Sequence, residues 1–230
     1  MNSKLTLREK IYNAFFNTWA MWKTGFSKLS RKFYAQQHQL TSTTSTDRYP
    51  ELFAEAARAS QESGPITILS YGCSTGEECF SLLNYFNHAK IIGVDINKRN
   101  LKKANKRNSY QEVKFLFSTD ENIRAEGKYN LIFCLSVLCR WEDTKFLSNC
   151  EKVYPFSKFD ATVSMLTEQL LPGGLFVLYN SNFCFEDTSA FRSFETVLTP
   201  TVKDSGFVYK FDRSNNRIHT KHVSCIYRKK

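Results

Sequence analysis

The sequence has no apolar run approaching the roughly 20 residues that a membrane-spanning helix needs, so no bilayer-spanning segment is expected. It has no Cys-x-x-Cys pair, and its seven cysteines have no histidine at ligand spacing. A structural metal site is therefore not expected either. The N-terminal stretch MNSKLTLREKIYNAFFNTWAMWK lacks the uninterrupted apolar core of a secretory signal. With an odd cysteine count, that points to the reducing cytoplasm. There is no internal repeat, and aromatic and basic residues do not interleave in the manner of an RNA reader. Acidic residues are in deficit, with 22 Asp and Glu against 32 Lys and Arg, a formal net charge of +10.

What is present suits a globular fold. A hydrophobic fraction of 42% supplies a sizeable core and excludes global disorder. The 230 residues fit one α/β domain with extensions. Basic residues cluster in the N-terminal arm, in the run KRNLKKANKR (Lys98 to Arg107), and in the tail. Such clusters attract polyanions. Solvated helix faces and C-termini have the same composition, and that plainer reading is preferred.

Residues 4–36 repeat apolar positions at helical spacing, giving an amphipathic arm broken near Gly25. Gln36 to Asp47 (QQHQLTSTTSTD) reads as a polar linker. The chain thus divides into an arm and linker over 1–47 and a main domain over 48–230. Tyr49 to Ser60 is a short helix with Pro50 in its first turn. Strands at Ile66–Tyr71, Lys90–Asp95, Val113–Phe117, Tyr129–Cys134 and Leu175–Tyr179 then alternate with helices at Glu77–Phe86, Arg99–Arg107 and Phe159–Leu171. Gly206–Phe211 and Val223–Tyr227 read as a closing antiparallel hairpin. The expected fold is α/β: a doubly wound, mostly parallel seven-stranded sheet with that hairpin and an N-terminal helical extension.

The stretch ILSYGCSTGEECFSL (Ile68 to Leu82) is a strand, a glycine turn and a helix start. Neither the P-loop nor the dinucleotide fingerprint is present. Glu77 and Glu78 would repel a pyrophosphate at that helix N-terminus. Asp95 ends the second strand about twenty residues on, where an acid accepts hydrogen bonds from ribose hydroxyls. A nucleoside with ribose, cationic groups and no phosphate is S-adenosylmethionine. Asp120, past the third strand, is placed to accept from the adenine amino group, and Ser136 and Val137 flank the cofactor from the fourth. Taken singly, the glutamates complement a helix dipole, Asp95 caps a helix and Asp120 marks a turn. Together they fall in register with three successive strands.

On these residues the sequence resembles S-adenosylmethionine-dependent methyltransferases of the doubly wound, Rossmann-like class. Within that class it is most similar to the chemotaxis-receptor glutamate methyltransferases. The similar segments are GCSTGEECFSL (Gly72 to Leu82), IIGVDINKRNLKKA (Ile91 to Ala104), YNLIFCLSVL (Tyr129 to Leu138) and LLPGGLFVLYNSNF (Leu170 to Phe183). The resemblance implies cofactor contacts from Gly72, Glu77, Asp95, Asp120, Ser136 and Val137, with Cys73, Ile96 and Glu121 beside them and Arg48 ahead of the first strand. Two departures matter. The family's long insertion with a receptor-docking β-subdomain, between the second and third strands, is missing. Its aromatic pair after the fourth strand is Arg140-Trp141 here.

The expected activity is methyl transfer to a small-molecule oxygen or nitrogen by in-line displacement. Protein carboxyl methylation is the alternative, and an RNA-binding or RNA-modifying role ranks last. Arg140, Trp141 and the loop Tyr179 to Asn182, with Asn180 and Asn182, are the substrate-side candidates, joined by Trp19 or Tyr34 of the arm. That arm is a candidate lid or dimer contact. His38, His219 and His222 are read as solvated, and no general base is assigned.

Overall fold

The computed structural model describes residues 37–60, 64–219 and 221–230. The expectations for the amphipathic arm, including Trp19, Tyr34 and the dimer contact, fall outside these residues. The chain enters with helix α1 (Pro50–Ser60), strand β1 (Ile66–Tyr71), helix α2 (Glu77–Leu82), strand β2 (Ala89–Asp95), helix α3 (Lys98–Arg107) and strand β3 (Val113–Phe117). It continues through helix α4 (Asp120–Ala125), strand β4 (Tyr129–Leu135), helix α5 (Trp141–Thr144), helix α6 (Phe156–Glu168) and strand β5 (Leu170–Tyr179). After two short 3-10 turns come strands β6 (Phe194–Thr196) and β7 (Ile226–Lys229).

The seven strands form one sheet in the order β3-β2-β1-β4-β5-β7-β6. β1 to β5 are parallel, and β7 pairs antiparallel with both β5 and β6. Strand order reverses between β1 and β4, the crevice where doubly wound sheets bind ligands. β4 is a near-continuous apolar run because both faces are covered: Leu131 and Ile132 point to opposite faces and neither is exposed. One core, around Phe53, Ile68, Leu82, Ile91 and Phe133, lies under α1 to α3. The other, around Ile92, Ile132, Phe159, Phe176 and Phe185, lies under α6. Among the described residues no helix is long and apolar enough to cross a membrane.

Two expectations need correction. The antiparallel edge stands, but β7 pairs with Phe194–Thr196 rather than with Gly206–Phe211. The latter segment runs along the strand-end loops: Phe207 N–H donates to Asn180 Oδ1 and Phe211 N–H to the Asn182 carbonyl. Helix α6 starts three residues earlier than its apolar pattern suggested, because Asn215 Oδ1 accepts the Phe156 N–H at 2.7 Å. It stops at Glu168 because Leu170 already pairs with Tyr129 in the sheet.

Candidate functional site

The ends of β1, β2, β3 and β4 open into a cavity of about 510 Å³, within the usual range for small-ligand sites. Its floor is the β1–α2 turn. Gly72 takes a left-handed conformation (φ 78°), and a Cβ there would collide with the Val137 side chain. Only glycine lets this turn lie against the β4 loop. Ser74 and Ser136, both also left-handed, line the same cavity, which marks it as a place where backbone strain is held.

Asp95 is 8% exposed and accepts the Ser74 N–H at 2.8 Å on one oxygen and the Asn97 N–H at 2.6 Å on the other. Burial raises its pKa against the pull of those two N–H groups. Each oxygen keeps a second lone pair for a ligand hydroxyl. Asp120 begins α4, capped by Thr119, and lines the cavity with Phe117, Ser118 and Thr119. Glu78 also lines it; burial lifts its pKa to about 7, against the hydrogen bond from Ser70 (2.7 Å) and the charge of Arg48. Among the described lining residues the acids number three, Glu78, Asp95 and Asp120, and Arg48 is the one arginine or lysine. An acidic cavity in a chain of net charge +10 favours a cationic ligand over a polyanion.

Of the residues expected at the cofactor, the cavity brings together Arg48, Gly72, Cys73, Asp95, Ile96, Asp120, Ser136 and Val137. Glu77 and Glu121 do not line it. Glu77 turns away from the cavity, paired with Arg107 and accepting from Thr75 Oγ1 at 2.6 Å. The helical rotation of α2 sends only the second carboxylate of the pair inward. Glu121 sits one position past Asp120 on α4, turned away for the same reason.

The substrate-side candidates are differently placed. Arg140 is 2% exposed and does not line the cavity. Its guanidinium donates to the Gln37 carbonyl at 2.6 Å, as Lys158 does at 2.7 Å, so two cations anchor the start of the polar segment. Asn182 is fully buried: its Oδ1 accepts the Arg140 N–H, and its Nδ2 donates to Thr144 Oγ1 and the Tyr209 carbonyl. Both residues hold backbone. Trp141 packs edge-on against Phe207, outside the cavity. Asn180, left-handed and buried, reaches the rim: its Nδ2 donates to Ser136 Oγ (2.9 Å) and Tyr49 Oη (3.2 Å). Tyr49 Oη and Ser136 Oγ are themselves 2.7 Å apart.

The stretch read as a linker forms a wall of this cavity from Gln37 to Ser45. Ser42 fixes it, its carbonyl accepting from Ser74 Oγ and its hydroxyl from Asn100 Nδ2. His38, read as solvated, is buried here against Tyr154 Oη (2.6 Å) and Thr162 Oγ1 (3.1 Å). Burial, aided by Lys158 and Arg140, lowers its pKa to about 3, so the imidazole is neutral. His219 is exposed, and His222 contacts Glu186 rather than the cavity. Sequence reasoning missed Tyr49, Tyr71, Ser118 and the 37–45 wall. Their types are common, and only the tie between Ser42 and the β1 turn reveals them.

A family model described as a methyltransferase domain matches residues 63–224, most of the chain. The chain belongs to that family. The class of the resemblance, S-adenosylmethionine-dependent methyltransferase, stands with it; closeness to the chemotaxis-receptor enzymes does not follow from this membership. No curated protein matches the sequence. Solved structures with a likeness include the N-methyltransferase NodS from Bradyrhizobium japonicum, with S-adenosylhomocysteine (18% identity, 57% of this chain and 59% of that one, TM-score 0.42). CalS10, an amino pentose methyltransferase from Micromonospora echinaspora, is 17% identical over 76% of this chain and 64% of that one, with TM-score 0.43. TehB from Haemophilus influenzae is 15% identical over 76% and 62%, with TM-score 0.45. The chain spans between 59% and 64% of the length of these three proteins.

Proposed function

We propose that this protein is an S-adenosylmethionine-dependent methyltransferase acting on a small molecule. The observation that carries the reading is the convergence of Glu78, Asp95 and Asp120, from three successive strand ends, on one cavity at the switch point of the sheet. The residues fit this cofactor. Asp95 has spare lone pairs for the ribose hydroxyls, and Asp120 is the acceptor for the adenine amino group, with Ile96 and Phe117 against the base. Glu78 takes the place expected of Glu77 and faces the ammonium, while Arg48 faces the carboxylate. Gly72, Cys73, Ser136 and Val137 supply the close backbone and side-chain walls.

When bound, the cofactor supplies an electrophilic methyl group on a sulfonium. The chain supplies position and exclusion of water. Segment 37–45, pinned by Arg140 and Lys158, walls the cavity from solvent. The polar trio of Tyr49, Ser136 and Asn180 at the rim orients the acceptor. A small acceptor is favoured because only residues 96–97, α3 and residues 108–112 join β2 to β3. That connection leaves no docking insert.

Calorimetry with S-adenosylhomocysteine tests the cofactor: one-to-one binding competed by S-adenosylmethionine is expected, and no heat of binding overturns the reading. Transfer of a radiolabelled methyl group tests the acceptor. Label passing to a panel of small alcohols, amines and acids is expected; label appearing only in protein or RNA overturns the small-molecule reading.

A further inference from the structure

We propose that Cys184, Glu186 and His222 form a site for a zinc-like divalent cation, separate from the cofactor cavity. One donor atom from each residue lies within 4.8 Å of the others. The thiol and carboxylate flank Phe185 on the short 3-10 turn after β5, and the imidazole comes from the approach to β7. Thiolate, imidazole and carboxylate are the donor set a borderline-soft cation takes, with a fourth position left to water.

The hydrogen bonds fix the histidine. Ser205 Oγ donates to the His222 carbonyl (3.1 Å), so toward His222 Nδ1, 3.0 Å away, it acts as acceptor. Nδ1 therefore carries the proton, and Nε2 points at Glu186 Oε2, 3.0 Å away. An oxygen that accepts from the second ring nitrogen, here the Ser205 hydroxyl, is how metal-bound histidines are oriented. Nε2 and a carboxylate oxygen at that distance are joined by a cation, a proton on Nε2 in the metal-free chain and a metal ion where one displaces it. A proton bridges two donors. The third, the Cys184 sulfur at 6% exposure, is the one a metal would use. Tyr227 Oη donates to Glu186 at 3.1 Å and orients the carboxylate. Glu186 and His222 are partly exposed, which leaves an entry path.

The sequence hides this site because two ligands are adjacent and the third lies across the β6 and β7 region, unlike any zinc-finger spacing. A bound cation would brace the loop after β5 against the lead into β7. Ser205 connects that brace to the rim, since its carbonyl accepts the Asn180 N–H.

The full chain, purified and stripped of metal, is titrated with Co²⁺ and followed by electronic absorption. One cobalt per chain, a thiolate-to-metal charge-transfer band, its displacement by Zn²⁺ and a raised Tm with Zn²⁺ are expected. Cys184→Ser should abolish the band, and Ser205→Ala should weaken Zn²⁺ binding by about 10- to 100-fold. Should Cys184→Ser fold poorly, His222→Gln gives the same reading through loss of Zn²⁺ affinity with the circular dichroism spectrum unchanged. A wild-type chain with no band, or a band that survives Cys184→Ser, overturns the proposal.

Discussion

The two sets of strand-end loops, those after β1 to β3 and those after β4 and β5, treat their polar groups in opposite ways. The wall built at the ends of β1, β2 and β3 carries buried carboxylates that are under-compensated: Glu78 has its pKa pushed up to about 7 and Asp95 is raised too, both first by burial. The region after β4 and β5 carries as many polar groups, yet they bond to one another. Asn182 ties Arg140, Thr144 and Tyr209, and Asn180 ties Ser136, Tyr49 and Phe207. The first wall is prepared for a positively charged ligand; most of the second is prepared to hold backbone. Polar residues near strand ends thus divide by whether their bonding capacity is already filled.

The largest effect expected from breaking this contrast lies in the self-bonded region. Asn182→Ala removes the acceptor of the buried Arg140 N–H and the donor to the Tyr209 carbonyl, at about 3 kcal/mol in total. A urea titration should show that loss in its midpoint. The folded variant should still bind S-adenosylhomocysteine within about threefold, because Asn182 does not touch the cavity, hydrogen bonds being local. A large loss of affinity at unchanged stability would put Asn182 in the site and erase the distinction. On the other wall the pattern inverts. Asp95→Ala should weaken S-adenosylhomocysteine by about 100-fold, the worth of charge-assisted bonds to two hydroxyls. Unchanged affinity by calorimetry means the ribose lies elsewhere.

The same contrast explains what the sequence disclosed. Gly72, Asp95 and Asp120 were legible because each lies at or within three residues of the end of an apolar strand, and the sheet carries those strand ends to one edge. Arg140 and Asn182 also lie just beyond strand ends, those of β4 and β5, and that placement misled. Whether a side chain turns to the cavity or to the backbone of a distant loop depends on partners such as Gln37 and Tyr209, which are far away in the chain. The start of α6 was misplaced for a similar reason, since its cap comes from Asn215. The wall at 37–45 carries no periodicity at all, and its Ser and Thr residues are the usual composition of a linker. Five strands and two acids of the cavity, Asp95 and Asp120, follow from local pattern; the strand order, the covering segment and the self-bonded half are tertiary.

Glu78 supplies a test that depends on pH. In the ligand-free protein its folded pKa, about 7, lies above the ordinary value of 4.5. The protonated form therefore contributes stability that is fully present below about pH 4.5 and lost as pH rises through 7. A ligand ammonium reverses the preference by favouring the carboxylate. Binding of S-adenosylhomocysteine should then expel a proton, and affinity should fall roughly tenfold per pH unit below 7 and level off above it. Calorimetry in buffers of different ionisation enthalpy measures the released proton. Glu78→Gln should flatten this profile, narrow the stability difference between pH 5 and pH 8, and weaken binding about tenfold at pH 8.

The neighbouring carboxylate should do almost none of this. Glu77 is also subject to burial, but hydrogen bonds from Thr75 and Arg107 override it and its pKa is lowered, as befits an acid already provided with a cation. Its partner Arg107 is half exposed, so the pair is open to solvent on the arginine side. Glu77→Gln should cost about 0–1 kcal/mol of stability and change affinity for S-adenosylhomocysteine by no more than about twofold. Parallel titrations of the two glutamine variants compare adjacent residues of one helix, one facing the cavity and one facing Arg107 of α3. If Glu77→Gln is the more damaging at pH 8, the ammonium sits beyond the turn rather than inside it, and the acidic wall loses its third member.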